Sequence, residues 1–306
     1  MSTSPATFGP ECLVTSRNCS QFEFDINGGN IGGLTYLYQD GAYTYVNAYL
    51  YQVDPNTLVW TQLHPVFERS GLVFVPGYPG VVAVNANNFM FAATAEGMSN
   101  YSVNLSHVSI DDAGTVSTRS SSFTTGTQHP KMRFGVMTDE CLAAVYYYGG
   151  TTYCQKITLN AAAAPGLGDT MNVGSATVYN VCSLDPEDVN YTLFCETATL
   201  KTVGGLSVSL PDASEAGLAK LDDRSALVLT KGKIYVARIV ETDGVETLTL
   251  TEQGAGKNFT YVARTLIMNS ITSLAAPMYE NASGRIYSII YDDSIYQIKE
   301  VASTTV

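Results

Sequence analysis

Apolar runs joined by Asp- or Asn-centred turns recur along this chain, and signals for helix are sparse. Five of the intervals between those turns average about 46 residues, the length of a four-stranded repeat. Together these features predict an all-β fold, a β-propeller of about six four-stranded antiparallel blades. A single repeat of this kind leaves too much apolar face in water and covers it by stacking on its neighbours.

The strand–turn–strand motif first appears as "LTYLYQDGAYTYV" from Leu34, then as "VVAVNANNFMFAA" from Val81. It returns as "RFGVMTDECLAAVYY" from Arg133 and "YNVCSLDPEDVNYTLF" from Tyr179. The last two copies are "AKLDDRSALVL" from Ala219 and "RTLIMNSITSLAA" from Arg264. Their turn centres are Asp40, Asn87, Asp139, Asp188, Asp223 and Asn269, and each is expected to join the first two strands of a blade.

Second halves of three blades are also legible. "YSVNLSHVSI", "DDAG" and "TVSTRS" form one hairpin, and "KIYVARIV", Asp243-Gly244 and "VETLTLT" another. Asp-Gly between β-branched runs is a strong hairpin signal. "RIYSIIY", "DDS" and "IYQIKEV" supply the third. "NAAAAPGLGD" and "STRSSSFTTGTQHP" read as connectors, because Pro, Gly and short polar residues interrupt any pattern.

A propeller must join its last blade to its first, and a strand from one terminus commonly does this. Residues 1–30 are therefore expected to form an N-terminal arm, with "SQFEFDI" (Ser20 to Ile26) closing a single propeller domain over 31–306. "INGGNIGG" lacks the Lys-Ser/Thr of a phosphate loop, so its glycines are expected to bend this arm into the first blade.

Composition narrows the function. Hydrophobic residues make up 45% of the chain and charged residues only 14%, so the polar surface rests on Ser, Thr, Asn and 20 tyrosines. The net charge is −12, and the largest cationic cluster is Lys231 with Lys233. That excludes a phosphate-tracking nucleic acid surface. No run reaches the roughly 18 apolar residues of a membrane helix, so no membrane insertion is expected. The first twenty residues have neither a basic start nor an apolar centre, which is not the pattern of a secretory signal. The chain is expected to be made in a cytoplasm.

None of the six cysteines forms a C-x-x-C pair, which argues against zinc. Cys182 and Cys195 flank a turn almost symmetrically and could face each other across a hairpin. The expected state is nevertheless small buried thiols.

Two segments resemble kelch repeats. "YLYQVDPNTLVWTQL" (Tyr49 to Leu63) is similar to the second half, and "LAAVYYYGG" (Leu142 to Gly150) to the first. The resemblance implies a kelch-like propeller and carries no function with it, because such folds host many. "SIDDAGTV" (Ser109 to Val116) is similar to the Asp-box of sialidases, with one residue too many before Gly114 and Val116 in place of the aromatic.

No catalytic constellation emerges. Asp40, Asp139, Glu140, Asp188, Asp222 and Asp223 recur at one blade position, as turn-forming side chains do. The histidines, His64, His107 and His129, make no metal-binding pair. No cofactor is implied. The candidate binding residues are Tyr78, His129, Tyr148, Tyr261 and Tyr279, placed in loops or at strand ends where an amphipathic ring meets a partner. Their loops should share the face that carries the turns between second and third strands.

The reading that follows is a non-enzymatic structural or binding protein of a virus particle, most like a tailed-phage tail, adaptor or fibre-associated protein. Its partners would be other virion proteins or a host surface molecule, in a particle where the chain is oligomeric. The alternatives are a glycan-binding or glycan-hydrolysing propeller, which needs two carboxylates about 5–10 Å apart, and a cytosolic kelch-like interaction module.

Overall fold

The computed structural model describes residues 13–15, 19–26, 30–40, 43–54, 59–73, 79–96, 101–126, 130–211, 216–230, 233–252, 279–280, 285–292 and 295–303. The architecture is all-β, with the six four-stranded antiparallel blades of a β-propeller. Among the described residues the one helical element is a single 3-10 turn, Val189–Tyr191.

Strand β1 (Leu13–Thr15) precedes the first blade, which runs β2 (Cys19–Ile26), β3 (Ile31–Asp40), β4 (Tyr43–Val53) and β5 (Trp60–Val73). The second is β6 (Gly80–Asn85), β7 (Asn88–Glu96), β8 (Tyr101–Ile110) and β9 (Val116–Gly126). The third is β10 (Lys131–Thr138), β11 (Cys141–Tyr148), β12 (Thr151–Asn160) and β13 (Ala163–Gly174). The fourth is β14 (Val178–Ser183), β15 (Thr192–Glu196), β16 (Thr199–Thr202) and β17 (Ser207–Ser209). The fifth is β18 (Gly217–Asp222), β19 (Ser225–Thr230), β20 (Lys233–Thr242) and β21 (Val245–Glu252). The last holds β22 (Tyr279–Glu280), β23 (Arg285–Asp292) and β24 (Ile295–Ser303), with β1 added beside β24.

The N-terminal segment therefore does supply the closing strand, but through Leu13–Thr15, which pairs with Gln297 and Tyr296. "SQFEFDI" is instead the first strand of the first blade, so that blade begins at Cys19 rather than after residue 30. This shifts the strand register of both terminal blades by one. The Asp40 turn joins second and third strands, and "RIYSIIY" and "IYQIKEV" are a second and a third strand. Asn269 and its motif lie outside the described residues.

Two segments read as connectors are outer strands. "STRSSSFTTG" lies in β9 and "AAPGLGD" in β13. An outer strand has one free edge and needs little apolar surface, so its composition is that of a loop.

The chain divides into two compact units, one with the first, second and last blades and the other with the third to fifth. Within each, blades pack face to face. In the first unit, Ala48 and Leu50 of the first blade join Phe89, Phe91 and Val108 of the second. A Cβ on Gly33 would stand 2.8 Å from Val81 Cγ2 and 2.9 Å from Phe91 Cζ, so this glycine sets the approach of the two sheets. It bends no arm. Asp25 Oδ2 accepts the Ala83 amide at 2.9 Å across the same interface. In the second unit, Ala143, Val145 and Cys154 meet Val178, Val181 and Phe194. Leu193, Cys195 and Leu200 then meet Ala226, Val228 and Ala237.

Cys141, Cys154, Cys182 and Cys195 are buried free thiols. Cys182 lies opposite Leu193 and Cys195 opposite Asn180, so the two do not face each other as the spacing allowed. Burial pushes the thiols of Cys154 and Cys182 up to about 12, which keeps them protonated and inert.

Removing residues 1–18 takes β1 from the last blade and leaves the β24 edge unpaired. The melting temperature should fall by roughly 5 °C or more while circular dichroism remains that of a β protein. Removing residues 1–30 also deletes β2 and should abolish the cooperative melt. Equal melts for the full chain and the shorter deletion would contradict the closure.

Candidate functional site

In each complete blade, the turn between second and third strands and the connection to the next blade leave from one edge, the loop edge. The other two turns leave from the opposite edge. Of the five residues picked from sequence, Tyr148 is fully described, and it ends β11 at the loop edge. Tyr279 opens β22, so its backbone also lies where the chain enters a blade. Tyr78, His129 and Tyr261 lie outside the described residues.

Tyr148 stands in a ladder. Tyr146 and Tyr148 alternate along β11 and so share one face, and Tyr153 of β12 lies directly across from Tyr146. The Tyr148 and Tyr153 rings stack with centroids 4.8 Å apart at 27°. Tyr146 stacks on Tyr153 at 5.8 Å and on Tyr148 at 6.1 Å. Tyr146, 2% exposed, anchors the ladder, and burial pushes its phenol up to about 12. Its hydroxyl donates to Gln155 Oε1 at 3.5 Å, and Gln155 Nε2 donates to the Gly168 carbonyl at 2.8 Å. Tyr148 and Tyr153 are half-buried, beside the exposed turn Gly149–Gly150. Both glycines have positive φ, 61° and 84°, as a tight hairpin turn requires.

Beside this turn, the loop edge of the fourth blade is fastened by Glu196, which is 4% exposed. Its Oε1 accepts the amides of Ser175 at 2.7 Å and Ala176 at 2.6 Å, and the Thr152 hydroxyl lies 2.8 Å away. Its Oε2 pairs with the Lys201 ammonium. Burial raises the Glu196 carboxyl, but Lys201, Thr152, Ala176 and Ser175 together outweigh it and hold the group below its usual range. One side chain thereby ties β12, the connection between third and fourth blades, and the fourth blade.

Immediately after Glu196, Thr197 (φ 33°) and Ala198 (φ 56°) make the turn that Gly149–Gly150 makes one blade earlier. Left-handed backbone strains both residues, the β-branched Thr197 most. Glu196 and Thr199 face each other across the turn, and the Leu210 amide, just after β17, donates to the Ala198 carbonyl at 2.8 Å.

The opposite edge uses its carboxylates in turns. Asp111 Oδ1 accepts the amides of Ala113 at 2.9 Å and Thr115 at 2.7 Å, which accounts for the "SIDDAGTV" segment without a sialidase role for it. Asp185 Oδ1 accepts from Glu187 and Asp188, Asp188 caps the 3-10 turn, and Asp222 Oδ1 accepts the Arg224 amide. Asp223, chosen from sequence as the turn centre, does stand in the turn between β18 and β19, where it is 70% exposed and pairs with Lys220, while the turn amide is accepted by Asp222. Glu246 accepts from the Tyr191 hydroxyl at 2.9 Å and from Arg224 at 2.6 Å, and the Arg224 guanidinium lies 4.3 Å over the Tyr191 ring. His107 is a buried filler with Nε2 3.1 Å from Asn88 Oδ1. Among the described residues no group of three or more His, Cys, Asp or Glu is placed to hold a metal ion.

No protein-family model matches the chain, and no curated protein matches it in sequence. Among solved structures, Sqt1 of Chaetomium thermophilum bound to the N-terminus of the ribosomal protein L10 has a TM-score of 0.51 at 9% identity, covering 94% of this chain and 75% of that one. Another structure of Sqt1 from the same organism gives 0.50 at 8% identity, covering 96% and 73%. An α-L-arabinanase of Penicillium chrysogenum complexed with arabinobiose gives 0.45 at 10% identity, covering 98% and 97%. At such identities the likeness to Sqt1 is one of fold alone.

Two outcomes test this edge chemistry. Replacing Thr197 with Asn and Ala198 with Gly relieves two left-handed residues, so the double variant should gain about 1–2 kcal/mol in denaturant unfolding. No gain would show the turn to be unstrained. Asp222→Ala should lower the melting temperature measurably through the lost turn acceptor, while Asp223→Asn should melt as the parent does. The reverse order would give the acceptor role in this turn to Asp223.

Proposed function

We infer that this chain is a non-enzymatic binding propeller that docks a protein partner on its loop edge. The observation that carries the reading is the tyrosine ladder beside Gly149–Gly150. Half-buried tyrosines bring large, rigid contact area at little entropic cost. The exposed residues next to them, Gly149, Gly150, Ser175 and Thr197, carry no charge. The Glu196–Lys201 pair is internally neutralised. Such an edge loses little solvation when a partner covers it. The fold is compatible with this use, since Sqt1, a similar structure, is bound to the N-terminus of a ribosomal protein.

The partner we propose is a neighbouring subunit of a virus particle or a host surface molecule, with the chain made in the host cytoplasm and incorporated into the virion. The composition supports this: few charges, abundant Ser, Thr, Asn and Tyr, and a net charge of −12 that disfavours nucleic acid. A kelch-like ancestry stays part of the proposal, on the two segments that resemble it. On the opposite edge Asp111, Asp185, Asp188, Asp222 and Glu246 are engaged in turns and ion pairs, which favours binding over hydrolysis.

Intact particles purified to constant composition should contain this chain at a fixed copy number. Its absence from them would overturn the virion assignment. Replacing Tyr148, His129 and Tyr279 together by Ala should weaken assembly or adsorption at least about tenfold, as loss of a contact centre does. The Asp223→Asn control on the other edge should behave as the parent. Normal assembly and adsorption by the triple variant, with loss in the control, would place the binding face on the opposite edge.

A further inference from the structure

The geometry points to Glu196 as a charged latch: its ionised carboxylate holds the Ser175–Ala176 connection and the strained Thr197–Ala198 turn closed together, so the two open as one unit when that charge is lost or displaced. This holds whatever the edge binds.

Four features carry it. The acceptor is a single oxygen. Oε1 takes the successive amides of Ser175 and Ala176 at 2.7 and 2.6 Å, a paired N–H arrangement that binds anions. Thr152 Oγ1 of β12 supports the same arrangement, 3.2 Å from the Ala176 amide, 2.7 Å from the Ala176 carbonyl and 2.8 Å from Oε1. Second, the space is reserved. A Cβ on Gly174 would lie 2.4 Å from Oε1, so a residue with a side chain there would expel the carboxylate. Third, the surroundings select a charge. The charged group facing Glu196 is Lys201, 29% exposed, and the remaining contacts are the two amides and a hydroxyl. Turned either way, a glutamine –NH₂ at this position would face donors: the amide pair or the ammonium. Fourth, the next two residues are strained and are held beyond Glu196 by the Leu210 amide on the Ala198 carbonyl. Releasing one anchor of a strained turn lets it relax.

Three amides report directly on the latch: Ser175 and Ala176 on the connection, and Leu210 on the turn. Val203, whose amide donates to the Thr192 carbonyl at 3.0 Å away from the latch, is the internal reference. Hydrogen exchange of the full chain at neutral pH should show Ser175, Ala176 and Leu210 exchanging at least about tenfold faster in Glu196→Gln than in the parent. Val203 should be unchanged, and Gly174→Ala should reproduce the same pattern. Parental protection of Ser175 and Ala176 in either variant would overturn the latch, as would their acceleration without Leu210. Should a variant fail to fold, the parent chain in low denaturant gives the same test. The three amides should then share one opening free energy below that of Val203, and unequal values would refute a common unit.

Discussion

A four-stranded sheet that is apolar on both faces cannot stand alone in water, and this constraint organises the whole chain. In β11 every residue from Cys141 to Tyr146 is buried, those facing one way and those facing the other alike. Each such residue gains from burial at roughly 25 cal/mol per Å² only if another sheet lies against it. The answer is repetition: within each unit one blade is laid against the next, first against second and third against fourth against fifth, and the last blade takes its outer strand from the opposite end of the chain. Small residues follow from the same demand. Ala143 and Ala144 lie in the centre of one blade, Ala226 in another, and Gly33 stands where a methyl group would collide with Val81 and Phe91.

With the faces committed to packing, polar chemistry is left to the edges, and acids are used there in two ways. Exposed Asp111 and half-buried Asp185 accept nearby backbone amides, and exposed Asp222 accepts from Ser225 and from the Arg224 amide; these bonds organise each turn and hold each carboxyl below its usual range. Glu196 performs the same kind of service from inside the protein and across three segments distant in sequence. The sign of the pH dependence is common to all four. Each folded-state carboxyl is depressed, so its contribution is present above the ordinary carboxylate range and fades as pH falls through the folded value.

How much of this was legible follows from where each signal resides. The blade count, the central strands and the first hairpins of four blades were readable, because Asn87, Asp139, Asp188 and Asp223 stand in or beside real turns between apolar runs. The outer strands were not, because "STRSSSFTTG" and "AAPGLGD" face solvent and are written in loop residues. The register of the terminal blades was missed because the evidence for it is not local: β1 and β24 are partners across nearly the whole sequence. At the site, Tyr148 could be picked as an aromatic at a strand end. Tyr153 was within reach, since a two-residue Gly-Gly turn places it opposite Tyr146. Glu196 carried no signal. In "LFCETATL" it is one acid after a buried cysteine, and its partners come from β12 and from the connection before β14.

The contrast between the two edges bears on why recognition is assigned to one of them. A contact surface works best when it is already ordered, because ordering it during association subtracts from affinity. On the loop edge of the third and fourth blades, order comes from buried anchors, Tyr146 beneath the ladder and Glu196 beneath the connection. Their exposed neighbours Gly150 and Thr197 carry no charge. On the opposite edge of the fourth and fifth blades, order comes from the exposed groups themselves. Arg224 is stacked on Tyr191 and bonded to Glu246, and Asp222 is bonded to its own turn. A partner docking there would have to compete with interactions that hold the surface together. The same residue types thus serve recognition where their supports are buried, and structure where they are their own support.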